Sequence, residues 1–245
     1  VLEAIYAGRR PLRKIIMGRG LKGTTFREIE AEAERHRIPV QEVDRKKLDL
    51  IAGTREHQGI IAVAAALKDE NLASLLARAQ QSQEPAFLVL VEGVTDPQNL
   101  GAIMRTCEGA GVHGVILPDR DIAPVDRATT KSSAGAVEHM PIARVGNLGQ
   151  TVMRLREEGI RVYAADASEP AQSVYETEFS GPVAVVFGSE EKGISRLVKD
   201  RCDARLRIPM RGRIQSLNVS ASAAVILYEA VRQRVARAEV SPSTS

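Results

Sequence analysis

From residue 87 onward, runs of consecutive apolar residues alternate with segments whose apolar positions recur every three or four residues. The runs predict strands at 87–91, 114–117, 161–164 and 183–187. The periodic segments predict helices at 99–109, 147–158, 191–199 and 217–236. Strands that are apolar on both faces and separated by helices are typical of a parallel sheet covered on both sides. The pattern therefore predicts an α/β domain over residues 85–237, with a disordered tail at 238–245.

The first 66 residues predict a smaller mixed α/β unit. Apolar spacing indicates a helix over 26–37 and a short helix over 48–52. Short apolar segments at 40–43 and 60–64 indicate strands. Residues 67–84 then shift to Lys, Asp, Glu, Ser, Gln and Ala, with one helical stretch at 72–79. This segment is interpreted as a linker between the two units or as a docking helix.

Composition narrows the class of protein. The 245 residues are 44% hydrophobic and 27% charged, which is a globular balance, and no apolar run approaches the roughly 20 residues of a membrane span. Charged side chains interrupt the first twenty residues, so a secretory signal is not expected. The two cysteines and four histidines have no metal-ligand spacing. We expect no metal, no membrane association and a cytoplasmic location.

Basic residues concentrate near the start of the chain. Residues 1–66 hold 13 Lys and Arg against 9 Asp and Glu, a net of +4, while the remainder holds 21 against 22. Arg9, Arg10, Arg13 and Lys14 begin a basic run that has no acidic residue within it. Such a cluster suits a polyanion, although it is equally compatible with a solvated surface. Aromatic residues make up only 3% of the chain, which argues against a base-stacking surface.

The segment 109–114 matches the glycine pattern of a dinucleotide-binding loop. That loop needs a strand before it and a helix after it. Here Leu100, Ile103, Met104 and Cys107 predict a helix before the glycines, and residues 115–117 predict a strand after them. The glycines are therefore interpreted as a helix end and a turn rather than a nucleotide site.

Two segments with candidate chemistry directly follow predicted strands. In the first, Asn99 stands where a helix is expected to begin, as a possible N-cap, and Arg105 lies off the apolar stripe of that helix. In the second, Gly188 allows close approach of a ligand or backbone, and Glu190 follows at the turn. Open α/β sheets bind ligands at the carboxyl ends of their strands. Taken alone, the first segment is better interpreted as a capped helix with a surface arginine. The structural alternative for the second is an acidic helix N-terminus, which the helix dipole favours.

A third segment, 205–218, leads into the last helix. It contains four arginines within nine residues, Arg205, Arg207, Arg211 and Arg213. Ser216 is a plausible N-cap, and Asn218 falls in the first predicted turn. Residues 220–224 are all Ser or Ala, which predicts that another backbone or a second subunit packs closely against them.

Together these segments resemble the three motifs of the SpoU (TrmH-type) family of ribose 2′-O-methyltransferases, in the SPOUT superfamily. The resemblance spans residues 87–235 in order and includes a stretch at 131–136. Residues 1–66, with His57-Gln58-Gly59, resemble the small N-terminal RNA-binding domain of the RlmB-like members, which modify a 23S rRNA guanosine. The resemblance implies a C-terminal trefoil knot, S-adenosylmethionine as cofactor and a homodimer formed through the knot and the last helix.

The resemblance also implies roles for individual residues. Catalytic positions are Asn99, Arg105, Glu190 and Asn218. Cofactor-binding positions are Gly188, Ile208, Met210 and Leu217. RNA-binding candidates are Arg9, Arg10, Arg13, Lys14, Arg211, Arg213 and Ser216. The implied activity is methylation of a ribose 2′-hydroxyl in ribosomal RNA, and the alternatives are a tRNA ribose methyltransferase and a non-catalytic RNA-binding or ribosome assembly factor.

Overall fold

The computed structural model describes residues 1–240, which form two compact units, one from Val1 to Lys68 and one from Asp69 onward. The first unit contains α1 (Leu2–Ala7), β1 (Leu12–Gly18), α2 (Thr24–Arg35), β2 (Val40–Val43), α3 (Arg45–Ala52) and β3 (Ile60–Ala64). Its sheet has the order β2-β1-β3, with β2 parallel and β3 antiparallel to β1. Side chains of β1 alternate between two small cores, since Ile15 packs with Ile29 and Ile16 packs with Leu48.

The second unit is an α/β fold around a parallel sheet. Its elements are α4 (Leu72–Gln81), β4 (Phe87–Glu92), α5 (Pro97–Gly109), β5 (Gly114–Pro118), α6 (Arg127–Ser132), β6 (Ile142–Val145), α7 (Leu148–Glu157), β7 (Arg161–Ala165), β8 (Gln172–Ser173), β9 (Val183–Gly188), α8 (Arg196–Lys199), β10 (Ala204–Arg207) and α9 (Val219–Val240). Within the described residues the strand order is β6-β5-β4-β9-β7-β10-β8, and all neighbours are parallel. The predicted α/β fold with a parallel sheet is confirmed.

The central strands β4 and β9 are buried on both faces, as their unbroken apolar sequences require.

The segment 67–84 is not an open linker from Asp69 onward, because α4 belongs to the second unit. Leu72, Leu75 and Leu76 of α4 pack into the same core as Leu88 and Val186. Of the two interpretations of this segment, the structure contains the docked helix.

Several element boundaries differ from the predictions. Helix α5 begins at Pro97 because Asp96 is its cap and accepts the backbone N–H groups of Gln98 and Asn99, so the interpretation of Asn99 as the N-cap is wrong. The helix predicted at 191–199 is confined to α8, since Gly193 has a left-handed φ of 64° and Ser195 caps the short helix. The tail assigned to 238–245 is helical through Val240. Residues 241–245 lie outside the described part of the chain.

The glycine-rich segment 109–114 forms a helix end and a turn, as the sequence predicts. Helix α5 ends at Gly109, Gly111 adopts a left-handed φ of 68°, and β5 begins at Gly114. The segment therefore closes a helix and opens a strand, the reverse of a dinucleotide loop. None of the helices within residues 1–240 combines the length and the apolar character that a membrane span requires. The same residues contain no group of three or more His, Cys, Asp or Glu side chains placed to hold a metal ion.

Candidate active site

The first two motif segments meet because β4 and β9 are neighbouring parallel strands. Glu92, at the end of β4, pairs in register with Gly188 at the end of β9. The backbone N–H of Ser195 donates to the Glu92 carboxylate at 2.8 Å, which fastens the loop after β9 to the end of β4. Both loops therefore leave the sheet at its carboxyl edge, side by side, where open α/β folds bind ligands.

At this edge Asn99, Glu190 and Asn218 form one hydrogen-bonded group. The Asn99 Nδ2 donates to Glu190 Oε1 at 2.9 Å, and the Asn218 Nδ2 donates to Asn99 Oδ1 at 3.0 Å. The Asn218 Nδ2 also contacts Glu190 Oε1. Residues separated by 91 and 119 positions in the sequence thus share a single site. The structure brings together three of the four side chains assigned to catalysis.

The chemistry of the three side chains fixes their orientation. A carboxylate only accepts hydrogen bonds, so both amides must turn their NH₂ groups toward Glu190. Asn218 is held from its other side, because its Oδ1 accepts the backbone N–H of Ser220 at 2.9 Å. Asn218, not Ser216, therefore caps α9, which begins at Val219. Within residues 1–240 no hydrogen bond involves Oε2 of Glu190, so this oxygen is available to a ligand.

Gly188 is required by the local backbone. A Cβ atom at this position would lie 2.3 Å from the carbonyl carbon of Gly193 and 2.4 Å from the nitrogen of Ile194. The loop after β9 folds back as a tight turn, in which the Gly193 N–H donates to the Ser189 carbonyl at 2.9 Å. Only glycine permits this approach, and the turn places Glu190 beside Asn99.

A cavity of about 500 Å³ opens next to this group, within the range of small-molecule sites. Its lining includes all four positions assigned to the cofactor, Gly188, Ile208, Met210 and Leu217. Ser216, Glu190 and Asn218 also line it. The wall contributed by residues 206–226 comes from β10, the loop after it and the start of α9, so the third motif segment supplies most of one side. The size and the mixed apolar and polar lining fit a nucleoside-sized cofactor.

The sequence interpretation missed Asp166, which also lines the cavity. Its carboxylate accepts from Lys199 Nζ at 2.9 Å and from the Ser168 backbone N–H at 2.8 Å. Burial alone would raise the pKa of Asp166, but the hydrogen bonds from Ser168 and Lys199 outweigh it and leave that pKa below its usual value. Asp166 directly follows β7, so its place at the carboxyl edge was a usable sequence signal.

The remaining predicted residues are not joined to the three-residue group. Arg105 is exposed on α5, and among the described residues it has no hydrogen bond or ion pair. Arg211 and Arg213 are exposed on the loop between β10 and α9, beside the cavity-lining residues Met210 and Gln215. In the first unit, Arg13 is exposed and Lys14 Nζ lies 3.2 Å from Gln41 Oε1.

The two arginines at the start of the basic cluster are partly engaged in the fold of the first unit. Arg9 and Arg10 are half-buried, and Arg10 Nη1 donates to the Ala65 carbonyl at 3.2 Å. The cluster therefore contains a structural contact as well as exposed charge.

Comparison with known families assigns both units. Residues 86–228 match the model described as the SpoU rRNA Methylase family, and residues 1–70 match the model described as RNA 2′-O ribose methyltransferase substrate binding. The chain belongs to the SpoU family and is an RNA methyltransferase. Among curated relatives, it is 38% identical to the putative TrmH family tRNA/rRNA methyltransferase YacO of Bacillus subtilis, over 96% of this chain and 93% of the relative. A Staphylococcus aureus relative with the same family name is 37% identical over the same shares.

Solved structures show the same relation. The SpoU methyltransferase AviRb from Streptomyces viridochromogenes, solved in complex with AdoMet, superposes with a TM-score of 0.78 at 27% identity, over 96% of this chain and 87% of its own. The A. aeolicus TrmH/SpoU tRNA modifying enzyme superposes with a TM-score of 0.59 at 28% identity, over 70% of this chain and 90% of its own.

Proposed function

We propose that this protein transfers a methyl group from S-adenosylmethionine to a ribose 2′-hydroxyl, in a guanosine of large-subunit ribosomal RNA. One observation carries the proposal. The hydrogen-bonded group of Asn99, Glu190 and Asn218 stands at a cavity lined by Gly188, Ile208, Met210 and Leu217. A donor in the cavity and a ribose beside the polar group would bring the two reactants together, and positioning of this kind accounts for much of the barrier reduction in group transfer.

The cofactor supplies an electrophilic methyl group on a positively charged sulfur. Gly188, Ile208, Met210 and Leu217, which line the cavity, would hold it in place. In the neighbouring structure of AviRb the same fold is in complex with AdoMet. A C-terminal trefoil knot, in which the segment after β10 is threaded, would explain why residues 220–224 at the start of α9 are all Ser or Ala.

The hydrogen-bonded group of Asn99, Glu190 and Asn218 orients the ribose and provides an acceptor for the proton of the 2′-hydroxyl. Asn99 and Asn218 present fixed amides, because each is held by Glu190. The 2′-hydroxyl is a weak acid, so its proton has to leave during or after attack on the methyl group. Glu190 accepts it at Oε2, directly or through a water molecule, or else uses that oxygen to hold Arg105.

Arg105 acts as an electrostatic clamp rather than a base. A guanidinium is hardly ever deprotonated in a protein, so removal of a proton by Arg105 would be costly. Its exposed position, with no partner among residues 1–240, leaves it available to the phosphate next to the target ribose. A bidentate contact to phosphate would fix the sugar and stabilise the developing negative charge on oxygen. Arg211, Arg213 and Ser216 extend this contact along the RNA.

Ribosomal RNA is the favoured target because of the first unit. Residues 1–70 match a substrate-binding model, so the chain has a module beyond the catalytic domain. The A. aeolicus TrmH/SpoU tRNA modifying enzyme covers 70% of this chain, whereas an rRNA methyltransferase from Sinorhizobium meliloti, at 25% identity, covers 94%. Methylation of a tRNA ribose is the second candidate, since the B. subtilis relative is described as a tRNA/rRNA methyltransferase. Arg9, Arg10, Arg13 and Lys14 are proposed to contact the RNA backbone.

The active form is proposed to be a homodimer in the cytoplasm. Helix α9 carries two half-exposed apolar side chains, Tyr228 and Val235, which a second copy would cover. Cys107 and Cys202 are both unpaired, as expected in a reducing compartment.

Substitution of Asn99 and Arg105 tests the proposed roles. Asn99→Ala and Arg105→Ala should each lower tritium transfer from labelled S-adenosylmethionine to RNA at least 100-fold, because positioning of the ribose is lost. Calorimetry should show cofactor affinity within about threefold of the parent chain, since neither residue lines the cavity. Gln98→Ala on α5 and Arg154→Ala on α7 remove an exposed amide and an exposed guanidinium that have no assigned role, and serve as controls.

Full methyl transfer by either active-site variant would refute the assignment of that residue. Parent protein that binds RNA but transfers no methyl group would instead favour the non-catalytic RNA-binding or assembly role.

A further inference from the structure

Basic side chains collect at one edge of the three-stranded sheet in the first unit. Strands β1 and β2 are parallel and β3 is antiparallel, so the ends of β1 and β2 and the start of β3 lie at the same edge. The Gly18 N–H donates to the Gly59 carbonyl at 2.9 Å, and the Arg19 N–H donates to the Val43 carbonyl at 2.9 Å, which ties the three segments together. We call this the exit edge, formed by residues 19–23, 44–47 and 55–59.

The exit edge carries more basic side chains than its ion pairs neutralise. Its six basic side chains are all exposed or half-exposed, namely Arg19, Lys22, Arg45, Lys46, Lys47 and Arg55. Arg19 lies 3.5 Å from Asp44, and Arg55 lies 3.9 Å from Asp49. The other four have no hydrogen bond or ion pair within residues 1–240. Four unneutralised cations on one edge are suited to a polyanionic ligand.

The start of α3 carries charge of the unfavourable sign. Positions 45–47 are Arg, Lys and Lys, and the first turn contains no acidic residue. The N-terminal end of a helix is electropositive and disfavours cations by a few tenths of a kcal/mol or more per charge. Asp44, which could offset this, makes no side-chain cap hydrogen bond. Departures from local preference of this kind are expected at functional sites, which points to an anionic ligand at the exit edge.

Gln58 lies at the same edge in a backbone conformation that is unfavourable for residues other than glycine. It is exposed and has a left-handed φ of 53°, which non-glycine residues rarely adopt. The neighbouring His57 side chain is only 3% exposed, with Nε2 2.7 Å from Asp49 Oδ1. The Gly59 N–H donates to His57 Nδ1 at 2.9 Å, so Nε2 carries the proton and donates to Asp49. A buried histidine therefore holds the turn that presents Gln58.

We propose that the exit edge is a second RNA-contacting surface, in which Lys22, Lys46 and Lys47 contact phosphates and Gln58 hydrogen-bonds the edge of an unpaired base. The primary amide of glutamine offers a donor and an acceptor, the combination that reads base edges. Protein side chains read RNA sequence mostly in single-stranded loops, where bases are accessible. This proposal rests on the proposed function, and the surface is distinct from the Arg9–Lys14 cluster, which precedes and begins β1.

Glycine substitution separates the amide from the fold. Gln58→Gly relieves the left-handed backbone and removes the amide, so the full-length protein should unfold at an equal or higher temperature while its affinity for in-vitro-transcribed 23S ribosomal RNA falls about tenfold. Gln83→Gly is the matched control, because Gln83 is also an exposed glutamine with a left-handed φ of 62°. The control should gain stability in the same way without change in RNA affinity.

Neutralisation tests the role of the three lysines. The triple variant Lys22→Gln, Lys46→Gln, Lys47→Gln should bind the same RNA more weakly and reduce the slope of log affinity against log salt by about 2, since each phosphate that a lysine neutralises adds roughly 0.7 to that slope. The matched triple change to arginine keeps the charge and should retain the affinity and the slope of the parent.

Two outcomes contradict the proposal in different ways. If the parent chain binds and methylates RNA, and Gln58→Gly and the triple glutamine variant bind like it, the exit edge is not an RNA surface and the proposed function stands. If the parent chain neither binds nor methylates 23S ribosomal RNA or bulk tRNA, the proposed function fails and this surface fails with it.

Discussion

At the residue scale, the site depends on a few side chains that have little meaning one at a time. Each of the three had an ordinary structural interpretation in the sequence, Asn99 as a helix cap, Glu190 as part of an acidic turn and Asn218 as a residue in the first turn of a helix. Their hydrogen bonds to one another join them in a single site. Both amides donate to one oxygen of the Glu190 carboxylate and leave its other oxygen available to a ligand. Their sequence separation shows why spacing alone could not reveal the contact. Only the order of the three motifs indicated that they meet.

Gly188→Ala tests the backbone geometry of the cavity. A methyl group at this position meets backbone atoms at 2.3–2.5 Å, so the loop after β9 must shift. We expect a loss of about 1–3 kcal/mol in the free energy of unfolding, the usual cost of overpacking, and at least a tenfold loss of cofactor affinity. Gly181→Ala is the control, because nothing lies within 4 Å of its Cβ position. Urea unfolding and calorimetry measure both quantities, and equal behaviour of the two variants would contradict this account of Gly188.

His113 predicts a pH dependence of stability. Burial, with a contribution from Arg234, lowers the pKa of His113 below 6.5, and its Nδ1 accepts the Phe87 N–H at 3.0 Å. The unfolded chain therefore binds a proton more readily, so stability present above pH 6.5 is lost as the pH falls from there toward the lowered pKa. The slope contributed by one group is at most about 1.4 kcal/mol per pH unit.

Urea unfolding at pH 7.5 and 5.5 measures this effect. His113→Asn keeps an acceptor for the Phe87 N–H and does not titrate, so it should lose less stability over this interval than the parent chain. An equal loss in both proteins would show that His113 is not the group responsible.

At the scale of elements, Arg234 makes several of the contacts that hold α9 against the segments leading into β4 and β9. Arg234 donates to the carbonyls of Pro85, Ala86, Phe179 and Gly181 at 2.8–3.2 Å. Its guanidinium also lies 4.5 Å from the centre of the Phe87 ring. Helix α9 begins at the cavity and carries Arg234 near its other end. The same helix therefore connects the candidate site with the Arg234 contacts.

Replacement of this arginine should destabilise the second unit. Arg234→Met leaves several carbonyl groups without their donor, and we expect a loss of about 2–4 kcal/mol, given that charged hydrogen bonds contribute about 1.5–3 kcal/mol each and that water replaces some of them. Arg237→Met on the same helix removes one exposed contact, to Ser180, and should cost less than about 1 kcal/mol. Chemical denaturation of both variants tests the ranking, and a larger loss from Arg237→Met would reverse it.

The strongly patterned elements were predictable and the weakly patterned ones were not. The cores of β4, β5, β7 and β9 follow from their apolar runs. The short strands β8 and β10 were not predicted, because β8 has two residues and β10 alternates arginine with apolar residues in Ala204–Arg207. Helix starts were misplaced where a neighbouring polar residue caps better, as Asp96 does for α5. Capping depends on backbone angles that sequence patterns specify poorly.

At the scale of the whole molecule, a module for RNA and a methyltransferase domain are joined in one chain. The boundary after Lys68 falls close to the predicted end of the first unit at residue 66. Charge asymmetry identified the first unit as the more basic one. The proposal of the exit edge needed the strand order as well, because one end of β1 carries the Arg9–Lys14 cluster and the other lies at the exit edge. The parallel sheet of the second unit places all three motif segments at one edge.

The most direct test of the central claim is a map of ribose methylation after reaction in vitro. Full-length protein would be incubated with S-adenosylmethionine and unmethylated 23S ribosomal RNA or bulk tRNA, and 2′-O-methyl positions would be located by mass spectrometry of nuclease fragments. The account predicts a single new methyl group on a ribose oxygen, at a guanosine of the 23S RNA, that is absent with Asn99→Ala. Methylation of a base, or no methylation of either RNA, would contradict it.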